Sequence, residues 1–135
     1  MYYKKYFILG FLLLTLILTG CSLKNSNHPK NNSNEIAQDN SKIILFYGRE
    51  CPHCGEVRKY LADNKVAEKL KFSEREVYHN KANANLMAQK AQQCGINQSK
   101  LGVPFLWNDG SCILGQNEVI QFFTQKINEN NQAQK

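Results

Sequence analysis

The sequence predicts an α/β fold with the element order βαβαββα, in which helices flank a central mixed sheet. Three observations predict it. Residues 43–47 form an uninterrupted apolar run that is typical of a buried strand, and an amphipathic segment follows from Glu56. Apolar side chains recur at helical spacing through 81–94. Two short apolar runs flank the turn sequence at 108–110, which indicates a β-hairpin.

Seven elements account for most of the predicted domain. Their expected bounds are strand 42–47, helix 52–66, strand 70–78, helix 81–94, strands 103–107 and 111–114, and helix 116–128. Gly95 follows the second helix and is a natural terminator. The folded part, 42–128, is long enough to bury one small core. Residues 129–135 are expected to form a polar C-terminal tail.

Residues 1–20 are predicted to be a signal peptide that is not part of the fold. Lys4 and Lys5 lie near its start, and the apolar run 7–18 is shorter than the about 20 residues that a membrane-spanning helix needs. The segment 18–21 resembles the lipobox of bacterial lipoproteins. That resemblance implies cleavage before Cys21 and lipidation of this cysteine, with diacylglycerol and an acyl chain such as palmitate. A simple signal peptide or an uncleaved anchor is the alternative interpretation.

Residues 21–41 are predicted to be the lipidated cysteine followed by a flexible Asn/Ser-rich tether. Only Leu23 and Ile36 in this segment are large and apolar, so no core can form there. The lipoprotein resemblance implies a lipid-anchored location in the cell envelope. Ser22 favours the periplasmic face of the outer membrane where the host has two membranes. Loss of the two signal-peptide lysines lowers the formal charge from +6 to +4, and no basic block remains, so nucleic acid is not expected as a partner.

The chain has five cysteines, which is an odd number for an exported protein. Assigning Cys21 to lipid leaves four, and an exported compartment permits disulfides among them. Cys94 ends an apolar helical face and Cys112 lies in the last strand. Three interpretations of that pair stay open: separate buried thiols, a structural disulfide, or a second redox pair that relays electrons to Cys51 and Cys54.

The most informative motif is Cys51-Pro52-His53-Cys54, which the strand–turn–helix context places at a helix N-terminus. Unpaired backbone N–H groups and the positive end of the helix dipole favour a thiolate there. A thiolate is the nucleophile in thiol–disulfide exchange. Pro52 suits the first helical position because it has no N–H to leave unpaired. Cys54 lies one helical turn beyond Cys51 and can close a disulfide with it.

The order of strand, Cys-x-x-Cys, helix and a later Val103-Pro104 opening a hairpin resembles the thioredoxin superfamily. The compact order is most similar to the glutaredoxin branch, and the resemblance covers about 42–128. It implies a minimal thioredoxin-like (glutaredoxin-like) fold with a cis bond between Val103 and Pro104. It also implies that these two residues face the cysteine pair and bind the substrate backbone like an added strand.

The Pro-His dipeptide between the cysteines is similar to that of the DsbA family of periplasmic disulfide oxidases. This resemblance implies that His53 favours the Cys51 thiolate and makes the disulfide more oxidising. The chain has Leu45 where thioredoxins and that family carry an acidic residue, so no carboxylate at this position relays the Cys54 proton. The double glycine of glutaredoxins is reduced to one glycine at 114–115, so the resemblance does not extend to a claim of glutathione as a cofactor.

The resulting hypothesis is an enzyme, a membrane-tethered extracytoplasmic thiol–disulfide oxidoreductase. Its expected partners are exported cysteine-containing proteins and a redox partner protein, and it needs neither cofactor nor metal. The alternative is a copper- or zinc-binding thioredoxin-like module with Cys51, Cys54 and His53 as ligands. Pro104 argues against that alternative because a simple metal carrier does not need it. A non-catalytic binding protein is a third interpretation, which the two motif cysteines disfavour.

Overall fold

The computed structural model describes residues 36–133 and confirms the predicted α/β class, a mixed four-stranded sheet flanked by helices. The elements are β1 (Ile43–Tyr47), α1 (Pro52–Asp63), α2 (Val66–Lys69), β2 (Ser73–Glu76), α3 (Lys81–Gln93), a 3₁₀ turn (Gln98–Lys100), β3 (Phe105–Asn108), β4 (Ser111–Leu114) and α4 (Gln116–Ala133). The predicted signal peptide 1–20, Cys21 and the tether up to residue 35 lie outside the described residues. Within 36–133, no helix combines the length and the apolar character that a membrane span requires.

β1 lies in the interior of the sheet, whose strand order is β2-β1-β3-β4. It pairs in parallel with β2 and antiparallel with β3, and β3 pairs antiparallel with β4. Ile44, Leu45 and Phe46 are fully buried because helices cover both faces of the sheet, which explains the uninterrupted apolar run. The parallel pairing brings the carboxyl end of β1, where the cysteine motif begins, beside the carboxyl end of β2.

The core has two layers, one on each face of the sheet. On one face, Leu45 packs in a cluster with Phe123 of α4, and α1 contributes to the same layer. On the other face, Phe46 packs with Phe105 and with Leu86 of α3, and the two phenylalanine ring centroids lie 5.6 Å apart. Since alternate residues of β1 enter opposite layers, the strand that leads into the cysteine motif is held from both sides.

β2 is shorter than predicted, covering four residues rather than 70–78. Leu70 is not in the strand because its N–H donates to the Val66 carbonyl at 2.9 Å and closes the short helix α2. The apolar side chains of Leu70 and Phe72 still pack on the core. The apolar pattern therefore predicted correctly that Leu70 and Phe72 pack on the core, but these residues lie at a helix end and in a loop rather than in a strand.

α4 continues to Ala133, so the helix end predicted at residue 128 is wrong and 129–133 are helical. The chain has no glycine or proline after residue 115 to stop the helix. The side-chain amide of Asn130 donates to the Lys69 carbonyl at 3.1 Å and ties the last turns to α2. The polar residues at 129–133, which had indicated a tail, belong to the exposed end of α4.

The last residues of the predicted tether, 36–41, lie against the domain instead of forming a flexible coil. The Ala37 N–H donates to a carbonyl of α3 at 3.1 Å. The Asp39 side chain is 3% exposed and accepts hydrogen bonds from Arg75 Nε and Ser73 Oγ, each at 2.6 Å. Composition alone predicted a solvated segment because it does not reveal an ion pair with a residue 36 positions later.

Asp39→Asn is expected to lower the free energy of unfolding by about 2 kcal/mol. Burial by itself would raise the pKa of Asp39, but hydrogen bonds from Ser73, Ser41 and Arg75 outweigh it and lower the pKa from 3.8 to about 2. The folded value lies below the unfolded one, so this stabilisation is present above about pH 4 and is lost as the pH falls towards 2. Urea unfolding at neutral and acidic pH measures it.

The matched control for this prediction is Asp63→Asn, which removes a carboxylate from an exposed ion pair. Exposed pairs contribute little, so its unfolding midpoint should stay close to that of the parent. An equal loss of stability in the two variants would show that the buried carboxylate does not hold segment 36–41 to the domain.

Candidate functional site

Cys51 lies at the N-cap of α1, as the strand–turn–helix context predicts. Its backbone is extended, with φ −83° and ψ 114°, and its N–H donates to the Gly48 carbonyl at 3.2 Å. The Cys51 sulfur accepts a hydrogen bond from the Cys54 N–H at 3.3 Å, in the place that a serine or aspartate oxygen takes in an ordinary cap. Pro52 is the first helical residue. A negative charge on the sulfur would therefore be stabilised by a backbone donor and by the helix dipole.

The two motif cysteines are thiols with different exposure. Cys51 is 8% exposed and Cys54 is 1% exposed. Burial, and next to it the hydrogen bond with Cys51, raise the pKa of Cys54 to about 12. Leu45 is fully buried, and it supplies no carboxylate that could take the Cys54 proton. At neutral pH Cys54 is therefore a protonated, shielded thiol.

Val103 and Pro104 lie beside Cys51, although more than fifty residues separate them in sequence. The Cys51 thiol donates to the Val103 carbonyl at 3.6 Å. The peptide bond between Val103 and Pro104 is cis. The Pro104 carbonyl accepts from the Gly115 N–H at 3.1 Å, which links this loop to the start of α4. The loop thus presents backbone atoms directly next to the more accessible sulfur.

His53 is exposed, and the hydrogen bond that the structure gives its ring is with Gln116, the first residue of α4. The distance between Nδ1 and the Gln116 side-chain oxygen is 2.8 Å. Because an amide oxygen can only accept, Nδ1 is the donor in this pair. Gly115 turns the chain into α4 with φ +102°, a conformation that favours glycine. Sequence reasoning did not find Gln116, because nothing local links it to the cysteine motif.

A second group of polar residues lies at the same edge of the sheet and was not predicted. His79 Nε2 lies 2.7 Å from a carboxylate oxygen of Glu50. Glu76 accepts from the backbone N–H groups of Arg49, Tyr78 and His79. These residues meet because β1 pairs in parallel with β2, which places the residues that follow β2 beside those that follow β1. The sequence predicted both strands but not this pairing.

The structure does not assemble the ligand set that the metal-binding alternative needs. Among residues 36–133, the cluster of His, Cys, Asp or Glu side chains whose ligand atoms lie within 4.8 Å of one another is Glu50, Glu76 and His79. The backbone donors on Glu76 account for its orientation. The histidine of the motif, His53, is bonded to Gln116 of α4.

Cys94 and Cys112 are joined by a disulfide, with an S–S distance of 1.97 Å. Cys94 is the C-cap of α3, and Cys112 lies in β4, the strand at one edge of the sheet. The bridge therefore fastens α3 to that edge. It closes a loop with a sequence separation of 18 residues.

No protein-family model and no curated protein matches the chain significantly. Solved structures with a similar fold include oxidized glutaredoxin 2 from Chlamydomonas reinhardtii, with 16% identity, a TM-score of 0.47, and coverage of 69% of this chain and 81% of that one. Wheat glutaredoxin has 18% identity and a TM-score of 0.47, over 66% and 77% of the two chains. A buckwheat glutaredoxin–glutathione complex has 16% identity and a TM-score of 0.47, over 67% and 80%. These likenesses concern the fold alone.

Proposed function

We propose that the protein is a membrane-tethered, extracytoplasmic thiol–disulfide oxidoreductase that acts on exported proteins. One observation carries the proposal: the Cys51 sulfur caps α1, one helical turn before a buried and protonated Cys54. A helix-capping thiol that is the more accessible of the pair, with a more deeply buried thiol behind it, is the arrangement that two-step exchange requires. The adjoining Val103 carbonyl offers a hydrogen-bond acceptor to a substrate backbone.

In the reducing direction, the Cys51 thiolate attacks one sulfur of a substrate disulfide. A bond forms between Cys51 and that sulfur, the substrate disulfide breaks, and the other substrate sulfur leaves as a thiolate and takes a proton from water. Cys54 then loses its proton to water and attacks the Cys51 sulfur. The Cys51–Cys54 disulfide forms, the mixed disulfide breaks, and the second substrate sulfur leaves and is protonated. Two electrons pass from the cysteine pair to the substrate.

The same steps in reverse oxidise a substrate dithiol and leave Cys51 and Cys54 reduced. A dithiol or disulfide on a redox partner protein then restores the starting state, so the cycle needs no cofactor. We propose that His53 favours the Cys51 thiolate and so makes the pair more oxidising. A more negative reduction potential of the Cys51–Cys54 pair in His53→Val than in the parent would support this role, and an unchanged reduction potential would contradict it.

The proposed location rests on Cys21 and the segment before it, as well as on the bridge between Cys94 and Cys112. Structural disulfides persist in oxidising compartments outside the cytoplasm. A lipid at Cys21 and the tether that follows would keep the domain near the membrane where exported proteins emerge. Radiolabelled fatty acid should be incorporated into the parent chain and not into Cys21→Ser, and label in both would contradict the anchor.

The proposed activity is tested with the full-length chain in detergent, a disulfide-bonded model protein and a dithiol as the reductant. The expected result is reduction of the model protein well above the rate with dithiol alone. Incubation of the oxidised chain with the reduced model protein tests the opposite direction. Rates equal to the uncatalysed background in both directions would rule out the proposed function.

The release of the mixed disulfide is expected to accelerate steeply with pH. Burial, the largest cause of the raised pKa of Cys54, persists when Cys51 is in the mixed disulfide, so at pH values well below that pKa the Cys54 thiolate fraction increases about ten-fold for each pH unit. Single-turnover release of a small thiol bound to Cys51 measures this step, and Cys54→Ser, which cannot resolve the complex, is the control. A release rate that does not change with pH would show that another group takes the Cys54 proton.

A further inference from the structure

The N-terminal segment meets the domain at the end of the sheet where the cysteine motif lies. The Ala37 N–H donates to the Ala82 carbonyl, in the first turn of α3, at 3.1 Å. This turn lies against the carboxyl end of β2, because the Asn83 side-chain amide donates to the Glu76 carbonyl at 2.9 Å. Since β1 and β2 are parallel, the motif that follows β1 lies at the same end, which we call the site end.

Segment 36–41 then leads from the site end to the opposite end of the sheet, the far end. Its middle is fixed by the buried Asp39 carboxylate, which accepts from two side chains of β2. It is followed by Lys42, whose carbonyl accepts from the Asp109 N–H at 2.9 Å. Asp109 lies in the turn between β3 and β4, which is at the far end because β3 pairs antiparallel with β1. We call segment 36–41, with its bonds to β2 and α3, the clamp.

The clamp decides at which end of the domain the proposed tether is attached. With the clamp bound, a tether from the lipid on Cys21 to Ile36 has about 15 residues and joins the domain at the site end. With the clamp released, the tether would continue to Lys42, about 20 residues in all, and join at the far end. A random coil of about 15 residues spans about 20 Å, whereas a small domain is about 30 Å across. The end to which so short a tether is attached therefore lies nearer the membrane.

The surface at the site end suits a protein partner better than a lipid surface. Arg49 and Lys81 are exposed there, but Glu50 and Glu76 carry the opposite charge at the same end. A surface that binds anionic lipid headgroups has an excess of basic side chains. The aromatic ring of Tyr78, two residues after β2, is 55% exposed and offers apolar area to a protein.

We propose that the clamp holds the site end towards the membrane, and that the substrates of Cys51 are cysteines of membrane-embedded proteins close to the bilayer surface. The proposal rests on the proposed function for the exchange reaction and for the lipid at Cys21, and it narrows the substrate class. The bonds made and broken are those of the same exchange, with the membrane protein as the disulfide or the dithiol. A cysteine held at the bilayer surface meets the site at a higher effective concentration than one in solution.

The orientation is tested with the lipid-modified full-length chain in phosphatidylcholine vesicles. A fluorophore is attached through Lys81→Cys at the site end or through Lys71→Cys, before β2, at the far end, in chains where Cys51 and Cys54 are serine. Both lysines are exposed, so the two substitutions remove the same charge from the surface. Lipids with a nitroxide on the headgroup should quench the probe at 81 more strongly than the probe at 71. Equal quenching of the two probes would overturn the proposal.

The role of the clamp is tested by removing its ion pair. Asp39→Asn removes the carboxylate, and the double variant Asp39→Asn, Arg75→Gln removes both charges, so that no unpaired charge is left buried. Hydrogen exchange of residues 36–41 should become faster, and the difference in quenching between the two probes should be lost or reversed. Asp63→Asn, whose ion pair is exposed, is the control and should keep the difference.

Two results would contradict this role of the clamp. Unchanged hydrogen exchange of residues 36–41 in the double variant would show that the ion pair does not hold the segment. A site end that stays nearer the lipid after the segment is released would show that the bilayer itself binds the domain.

The substrate class is tested with two pyridyl disulfides, one on the headgroup of phosphatidylethanolamine in the vesicles and one on a soluble peptide. Release of thiopyridone by the reduced chain, with Cys51 and Cys54 intact, measures both rates. Release of the clamp should lower the ratio of the lipid rate to the peptide rate about two-fold or more, because the tether is longer and the site faces away. An unchanged ratio would overturn the proposal.

The outcomes separate this inference from the proposed function. If the parent exchanges both disulfides, but the two probes are quenched equally and the ratio does not depend on the clamp, the inference is overturned and the exchange activity stands. If the site end lies nearer the membrane but the parent exchanges neither disulfide, the orientation stands and the proposed function fails. A chain without lipid at Cys21 would overturn both the anchor and this inference.

Discussion

Cys51→Ser is expected to lower the rate of thiol–disulfide exchange by about a thousand-fold or more, down to the uncatalysed background. A serine hydroxyl does not ionise near neutral pH and cannot form the mixed disulfide. The loss cannot be ascribed to unfolding, because serine is a favoured N-cap and can accept the Cys54 N–H that the sulfur accepts now. The initial rate of reduction of a disulfide-bonded model protein measures it.

Cys54→Ser is the control for this prediction. It leaves the attacking sulfur in place, so the first step should proceed and the second should not. The expected product is a stable complex with the substrate that reductant dissolves. If Cys51→Ser kept substantial exchange activity, or if it lost its folded circular dichroism spectrum, the assignment of Cys51 as the attacking thiol would not stand.

Removing the second cysteine pair is expected to affect stability and not exchange. The double variant Cys94→Ala, Cys112→Ala opens a loop with a sequence separation of 18 residues, for which the chain-entropy estimate gives a loss of about 3 kcal/mol. The site should keep its geometry, because Cys51 is positioned by β1 and α1, which the bridge does not join. Urea unfolding and the exchange assay are measured on the same preparation.

This double variant also separates the interpretations of the pair. A structural bridge predicts a lower unfolding midpoint and a parent-like exchange rate at a temperature where both proteins are folded. A relay of electrons to Cys51 and Cys54 predicts a large fall in multiple turnover with a normal first turnover. Unchanged stability would contradict the structural role.

The fold class could be predicted because each element has a local pattern that matches its burial. The run through β1 is apolar on both faces because helices cover both, and the turn at 108–110 has residues that suit a hairpin. The predicted ends of elements were wrong where contacts between residues distant in sequence determine them. Asp39 holds residues 36–41 to β2 through an ion pair, and α4 runs on to Ala133 across residues that look like a tail.

The candidate site could be predicted only where it consists of recognisable sequence motifs. The motif at 51–54 and the loop at Val103-Pro104 have recognisable sequences, and the structure brings them together. Tyr78 and Gln116 have no such signal. Tyr78 packs on Gly48, just before the motif, through the parallel pairing of β1 with β2, and Gln116 bonds to His53 through the packing of α4 on α1.

The most direct test of the central claim is peptide mapping of the covalent complexes that full-length Cys54→Ser forms with membrane and exported proteins. The complexes are collected without reductant, digested, and analysed by mass spectrometry to identify the linked cysteines. We predict that the linkage from this protein runs through Cys51 and that the variant with both Cys51→Ser and Cys54→Ser yields no complexes. Linkages through Cys94 or Cys112, or complexes that persist when Cys51 and Cys54 are both serine, would contradict the proposed exchange at Cys51.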